Sequence, residues 1–310
     1  MAPLQPADGR PGSYALQMLR SPLPVIPAET LHDVVPPCEP DQVLVFEPEA
    51  AADGNGEAAR TVFYFPGCGS ERYQSHISMA ALHVLTSLGV RVIVPPPFLC
   101  CGFPAHVNAK TEQHSRQVLA DTILFSQIRE MFAYLEFDGC VITCGTCREG
   151  LDVMEAGKLF GGRIVDVARY ALERGLKLEG GEDGFLYHAP CHDSLDGKAQ
   201  EVLVKLGGFG KVEAVPHCCS EAGTLSLSRP DITNAMLHRK RAAFAKALEG
   251  RPGGATVLTN CPSCVQGLSR NVAMGVRPRH LAEVLAERIS GPGWLDRFRL
   301  QAAQAHAVHF

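Results

Sequence analysis

Twelve cysteines stand in the 310 residues, and ten of them form a pattern that occurs twice. Cys68, the adjacent pair Cys100 and Cys101, and the knuckle Cys144-Gly-Thr-Cys147 make the first set. Cys191, the pair Cys218 and Cys219, and the knuckle Cys261-Pro-Ser-Cys264 make the second. An offset of 117 residues lays the first knuckle on the second, and an offset of 118 superposes the adjacent pairs. Two copies of one metal-binding module follow. Each copy offers five thiols from three stretches of chain. A structural zinc takes four ligands, usually from two Cys-x-x-Cys knuckles, and each copy has only one knuckle. Adjacent cysteines make a strained chelate for a single ion. They suit a cluster in which each sulfur reaches a different metal atom, and soft thiolates suit iron–sulfur clusters. Iron–sulfur chemistry therefore leads, with zinc as the alternative. A redox dithiol at Cys144/Cys147 or Cys261/Cys264 is a third option, but it leaves the other cysteines without a purpose.

The spacing of apolar residues shows what must hold these thiols. From residue 61 onward, short apolar runs alternate with amphipathic stretches. TVFYFPG, RVIVPPP, CVITC and RIVDV read as strands, and SHISMAALHVLTSLG, KTEQHSRQVLADTILFSQIREMFAYLE, CREGLDVMEAGKLF and ARYALERG as helices. The second half repeats the order with FLYHAP, AQEVLVKLGG, VEAVPH, DITNAMLHRKRAAFAKALEG, TVLTN and HLAEVLAERI. Alternating strands and helices predict a parallel sheet covered by helices. The expected fold is two tandem α/β domains, each with a small, mainly parallel sheet and its cysteine-bearing loops gathered at one edge. Every cysteine set falls where strands end, which is where open α/β sheets usually carry ligands. The expected boundaries are an extension or linker over 1–60, a first domain over 61–180, a second over 181–291, and a helical tail over 292–310. Weak periodicity and frequent Pro, Ala, Gly and Glu argue for the extension.

Composition narrows the partners. A net charge of −4 gives no polyanion-binding signal, so nucleic acid is a poor partner. No apolar run is long enough to span a membrane, and MAPLQPADGRPGSYAL lacks the form of a secretory signal. A cytoplasmic location is expected, extending to peripheral attachment at the inner face of the membrane. Thiols stay reduced in the cytoplasm, which favours metal or redox chemistry over structural disulfides. No Gly-x-Gly-x-x-Gly follows a strand, no segment reads as flavin-binding, and no ferredoxin-type cysteine run is present. Neither NAD nor flavin is expected on this chain, and no catalytic residue stands out.

Other residues carry weaker signals. His188 and His192 flank Cys191, and His217 precedes Cys218, so each could donate to a metal-bound sulfur or remain an ordinary loop residue. Asp193 suits either orienting one of these histidines or capping a helix. His76 and His83 read as packing or surface residues of a helix, Cys140 as a small core residue, and Cys38 as unpaired. Pro66, Gly67 and Pro190 would shape the loops that aim Cys68 and Cys191. HRKRAAFAKALEG reads as a basic, solvated helix face.

The residues FPGCGS, FLCCGFP and TCGTC, and then HAPCHDS, HCCSEAGT and NCPSC, resemble two copies of the cysteine-rich CCG domain. The second copy has Ser220 where that pattern has glycine, and its Cys191–Cys218 interval is shorter than Cys68–Cys100. Tandem copies occur in heterodisulfide reductase and in the iron–sulfur parts of glycolate oxidase, anaerobic glycerol-3-phosphate dehydrogenase and lactate-utilisation proteins. The chain looks most similar to the C-terminal part of bacterial FAD-linked D-2-hydroxyacid dehydrogenases, over about residues 61–290. The resemblance implies two 4Fe–4S clusters of noncubane type. Cys68, Cys100, Cys101, Cys144 and Cys147 would hold one, and Cys191, Cys218, Cys219, Cys261 and Cys264 the other, with zinc at one site as the alternative. It also implies electron transfer from a flavin-containing dehydrogenase subunit through a ferredoxin-like iron–sulfur protein. The substrate would be a 2-hydroxy acid of the D-lactate, glycolate or D-2-hydroxyglutarate type. The alternatives are a cluster-based disulfide reductase resembling heterodisulfide reductase and a zinc-stabilised interaction module.

Overall fold

The structure is a computed structural model that describes residues 26–48, 60–181, 184–221, 225 and 229–310. The chain divides into two compact units. One comprises Ile26–Leu178 and Ala282–Phe310, the other Glu179–Leu281.

In the first unit, β2 (Arg60–Phe65), β3 (Val90–Val94), β4 (Phe137–Ile142) and β5 (Ile164–Asp166) form parallel pairs in the spatial order β3-β2-β4-β5. A short α1 (Leu31–Val34) precedes them. The connections are α2 (Ser75–Ser87), α3 (Phe103–Val107), α4 (Thr111–Met131), α5 (Gly145–Val153) and α6 (Ala156–Leu159), and α7 (Val167–Glu173) follows β5. In the second unit, β6 (Phe185–Tyr187), β7 (Val212–Ala214), β8 (Ala255–Thr259) and β9 (Val276–His280) pair in parallel in the order β7-β6-β8-β9. Its helices are α8 (Ala199–Leu206), α9 (Pro230–Ala247) and α10 (Pro262–Ser269), and α11 (Leu281–Ser290) returns the chain to the first unit. Counted within each unit, both parallel sheets run second-first-third-fourth, so the repeat read from the cysteines is also a repeat of topology. In this order the chain reverses direction across the sheet beside its first strand. That leaves a crevice at the strands' carboxyl ends, and the cysteine loops open there.

The first unit is larger because two antiparallel strands join its sheet. β1 (Gln42–Phe46) pairs with β3 on one side and with β10 (His306–His309) on the other. Both strands fall where sequence periodicity pointed elsewhere, β1 in the expected extension and β10 in the expected helical tail. QVLVF is a short apolar run inside a Pro- and Glu-rich stretch, and all but its first residue is buried. Its strand character depends on ladders to β3 and to β10, the latter more than 250 positions away. The tail does contain a helix, α12 (Trp294–Ala302), whose Phe298 is fully buried and stacks at 6.3 Å on Phe46. Residues 1–25 and 49–59 of the expected extension lie outside the described residues. β9, sequence VRPRH, also lacks a strand-like alternation. It is an edge strand, where Pro278 needs no ladder partner on its open side.

Phe63 stacks at 3.9 Å on Phe160, and Phe125 of α4 packs edge-on to both. This aromatic core sits between β2 and the helix that covers it. No helix among the described residues is long and apolar enough to cross a membrane.

Candidate metal centre

In each unit the first cysteine follows the first strand, the adjacent pair follows the second strand, and the knuckle follows the third. Cys144 is the N-cap of α5 and Cys261 the N-cap of α10, with nearly identical backbone angles of φ −147°, ψ 119° and φ −143°, ψ 122°. The knuckle sulfurs therefore stand at the positive end of a helix, where unpaired N–H groups favour thiolates. Cys68 opens a π-helical turn over Gly69–Tyr73.

The five sulfurs of each set form one connected group. Sγ of Cys100 is 4.0 Å from that of Cys68, and Cys101 reaches both Cys100 and Cys147, which in turn reaches Cys144. In the second unit, Sγ of Cys191 is 3.9 Å from that of Cys218, and Cys219 bridges Cys218 to Cys264, which reaches Cys261. Crowding makes full ionisation of either set unfavourable without a cation. Hydrogen bonds from Cys101 and Cys68 push the Cys100 thiol down to about 3. Contacts with Cys218 and Cys264 hold Cys219 well below its ordinary value. Cys147 and Cys264 shift the opposite way. Bonds to Cys101 and Cys144, with burial, push Cys147 well up, and bonds to Cys219 and Cys261, with burial, do the same to Cys264. Each set behaves as several sulfurs sharing too many protons, and metal binding to such a set expels them.

Close backbone approach makes the gathering possible. A Cβ on Gly150 of α5 would collide with the carbonyl oxygen of Cys101, and one on Gly267 of α10 would stand 2.7 Å from that of Cys219. Helix and cysteine pair thus meet at a bare backbone in both units. Gly67 has φ +70°, and a Cβ there would stand 2.7 Å from Sγ of Cys147. After the adjacent pair the chain turns left-handed at Gly102, φ +78°, and equally at Ser220, φ +72°. Ser220 therefore replaces glycine without changing the turn, at a cost of about 1–2 kcal/mol for an L residue in that region. Its N–H donates to Sγ of Cys218 at 3.4 Å.

Two buried clamps join the first cysteine loop to the knuckle. The hydroxyl of Tyr64 lies 3.3 Å from that of Thr143, which is 3.2 Å from the hydroxyl of Ser70. In the second unit Tyr187 donates to Asn260 Oδ1 at 2.8 Å, and Asn260 Nδ2 donates to Ser194 Oγ at 2.8 Å and to Asp193 Oδ1 at 3.0 Å. Thr143 and Asn260 each immediately precede a knuckle, and each tyrosine lies four residues before its first cysteine. Sequence reasoning missed both clamps. The recurrent spacing was the available signal. Asp193 does not orient a histidine through these bonds; its oxygens accept from the N–H groups of Leu195 and Gly197 and fix the loop.

Of the three histidines singled out, His188 reaches the sulfurs. One of its ring nitrogens and the Sγ atoms of Cys219 and Cys264 lie within 4.8 Å of one another. His192 is half-buried on the loop after Cys191. His217 is exposed at φ +71°, and its carbonyl, not its ring, faces inward. The basic stretch HRKRAAFAKALEG requires a correction. Lys240 within it is fully buried rather than solvated, because four acceptors surround its ammonium. Cys140 is a buried core residue, and burial pushes its thiol well up. Cys38 is half-buried, bonds Gln42 and is likewise raised, to about 11, chiefly by burial.

Convergent thiols at helix N-termini, in a repeated α/β frame, define a class of cysteine-rich metal-binding protein. Residues 62–152 and 185–269 each match the family model of the cysteine-rich CCG domain, and the chain belongs to that family. It is similar to an uncharacterized iron–sulfur protein of Methanocaldococcus jannaschii, 25% identical over 66% of this chain and 40% of the relative. It is 24% identical to a probable glycolate oxidase iron–sulfur subunit of Bacillus subtilis, over 75% of this chain and 55% of the relative. Lactate utilization protein A 1 of Bacillus mycoides is 25% identical over 73% of this chain and 96% of the relative. The chain thus spans about two fifths to just over half the length of the first two of these relatives.

Proposed function

We propose that this chain is an iron–sulfur electron-transfer component of a flavin-dependent dehydrogenase acting on a 2-hydroxy acid of the lactate or glycolate type. The observation that carries this reading is the pair of matching five-sulfur sites. The names of the glycolate oxidase and lactate utilization relatives supply the substrate class. The donor set fits a cluster: all-thiolate, crowded, buried on one side, and approached by bare backbone at Gly67, Gly150 and Gly267. Cys68, Cys100, Cys101, Cys144 and Cys147 would hold one 4Fe–4S cluster, and Cys191, Cys218, Cys219, Cys261 and Cys264 the other. Bound there, the clusters supply reversible one-electron chemistry. The chain's own residues orient the thiolates through the tyrosine clamps. They stabilise negative sulfur through the helix N-termini of α5 and α10 and through the Ser220 N–H. The partners in this reading are a flavin-containing subunit and a ferredoxin-like iron–sulfur protein. The expected setting is the cytoplasm, where thiols stay reduced, with attachment at the membrane's inner face through a partner.

Anaerobic purification followed by iron, zinc and acid-labile sulfide analysis tests the reading, with EPR before and after dithionite. About eight irons and eight sulfides per chain, with redox-responsive signals, are expected for two 4Fe–4S clusters. Zinc without sulfide would overturn it. Reduction of the signals by a flavoprotein turning over lactate or glycolate tests the substrate class.

A further inference from the structure

The long helices α4 and α9 occupy equivalent places in the two units, and two buried positions of one fall on two buried positions of the other at a single offset. Phe125 and Phe244, both fully buried, are 119 residues apart. Asp121 and Lys240, one helical turn earlier, are also 119 apart, and both are buried. A single helix position therefore carries an acid in one unit and a base in the other. Each faces its own thiols: Cys100 is within the electrostatic reach of Asp121, and Cys219, Cys264 and Cys218 are within that of Lys240. Oδ2 of Asp121 is buried with no hydrogen-bond partner.

Lys240 is further specified by its bonds. Its Nζ stands 3.0, 2.9 and 3.1 Å from the carbonyl oxygens of Val215, Pro216 and His217, and 3.1 Å from Nδ1 of His188. An ammonium has three protons and no lone pair, so Nδ1 of His188 must be an acceptor. The proton of the neutral imidazole then sits on Nε2. That nitrogen is buried without a nitrogen or oxygen partner and is directed at Cys219. A metal-ligating histidine normally donates its other N–H to an acceptor. Here that other nitrogen faces a cation, which makes His188 a donor to sulfur and not a ligand.

We propose that the shared helix position sets the two metal centres apart in reduction potential. The centre beside Lys240 is the easier to reduce and the centre beside Asp121 the harder, and Lys240 acts partly by holding His188 as an N–H donor to Cys219. A buried cation and a hydrogen bond to sulfur both favour the more negative, reduced state, while a buried carboxylate disfavours it. This proposal rests on the electron-transfer reading. It gives the chain an electrostatic direction, with the second unit's centre as the electron-accepting one.

The test has two independent readouts. Potentiometric titration of the anaerobically purified protein, followed by EPR, gives the midpoints, with signals assigned by Cys147→Ser and Cys264→Ser. Lys240→Met is expected to shift the reduction equilibrium of the second centre alone by about tenfold toward the oxidised form, about 59 mV for a one-electron couple. Lys240→Arg, which keeps the cation, should recover most of that shift. Asp121→Asn should move the first centre alone, in the opposite direction. The second readout is the His188 tautomer, from long-range 1H–15N spectra of histidine-labelled, metal-free protein. The Nε2–H form is expected in the parent chain and its loss in Lys240→Met. Unmoved midpoints, or both centres moving together, would overturn the proposal while leaving the electron-transfer reading intact. An Nδ1–H tautomer in the parent chain would also overturn it, even if Lys240→Met fails to fold. A chain without iron and sulfide would sink the electron-transfer reading and with it the potential difference, and the tautomer would still decide the Lys240–His188 arrangement.

Discussion

The two units hold the same cysteine geometry with different supports. The first is braced by apolar packing: its sheet gains β1 and β10, Phe298 closes over Phe46, and Phe63, Phe125 and Phe160 fill the space under α4. The second has a four-stranded sheet, and a polar network braces its cysteine loops. Arg270 donates from Nε and from Nη2 to Oε2 of Glu221, at 3.2 and 3.0 Å, and Gln266 donates to Oε1. That network ties the loop after Cys219 to the helix bearing Cys264. Glycine contacts, left-handed turns and tyrosine clamps are common to both units. A buried carboxylate also ties the cysteine loops in each, with Glu71 accepting from the Phe98 N–H in the first. The added strands β1 and β10 belong to the first alone. What the module constrains is therefore where five sulfurs meet, and each unit reaches that arrangement by its own packing.

A ligand substitution should separate the two units most strongly. Cys101→Ser is expected to empty the first site and leave the second loaded, halving iron and sulfide per chain; loss from both sites would mean that the sets share ligands. Phe298→Ala should destabilise the first unit by roughly 3–5 kcal/mol through a cavity, and Arg270→Met the second by a similar amount, because Glu221 is left buried without its partner. Limited proteolysis with mass mapping would show which unit opens in each variant. If either substitution opens both units equally, the braces are not separate.

A smaller effect follows from acid. Burial, reinforced by the nearby Arg297 charge, holds His83 of α2 down at about 4, and Ser290 is its hydrogen-bond partner. The unfolded state then binds more protons than the folded one between about pH 6.5 and 4, so the first unit's stability falls as pH drops through that window. The loss is on the order of 2–3 kcal/mol, and His83→Gln should flatten it in urea titrations at pH 7 and 4.5.

Alanine at the two helix glycines should press on both sites unequally. Gly150→Ala is expected to cost about 1–3 kcal/mol and to lower metal occupancy. Gly267→Ala should cost less, since its collision is milder. The smallest expected effect is stabilising. Ser220→Gly relieves a left-handed serine and should raise stability by about 1 kcal/mol, seen as a higher Tm with metal content unchanged.

Much of the site was legible because its cause is local. Cysteines at strand ends, knuckles that begin helices, and glycines beside them follow from short-range spacing, and the repeat doubled every signal. Strand β1 was illegible for the opposite reason, since five residues of ambiguous pattern become a strand only when β3 and β10 supply the ladder. Lys240 misled because a lysine among Arg and His residues on a helix normally belongs to water.

The amino-acid sequence by itself determined the two five-thiol sets, their order along a repeated α/β chain and the kind of metal chemistry they suit. Those properties depend on residue type and on neighbours close in sequence. Only the tertiary structure decided which charges stand against which thiols. A buried Lys240 or Asp121 depends on carbonyls, rings and sulfurs brought from distant strands, and the energy of an uncompensated buried charge is set by those partners and not by the residue itself.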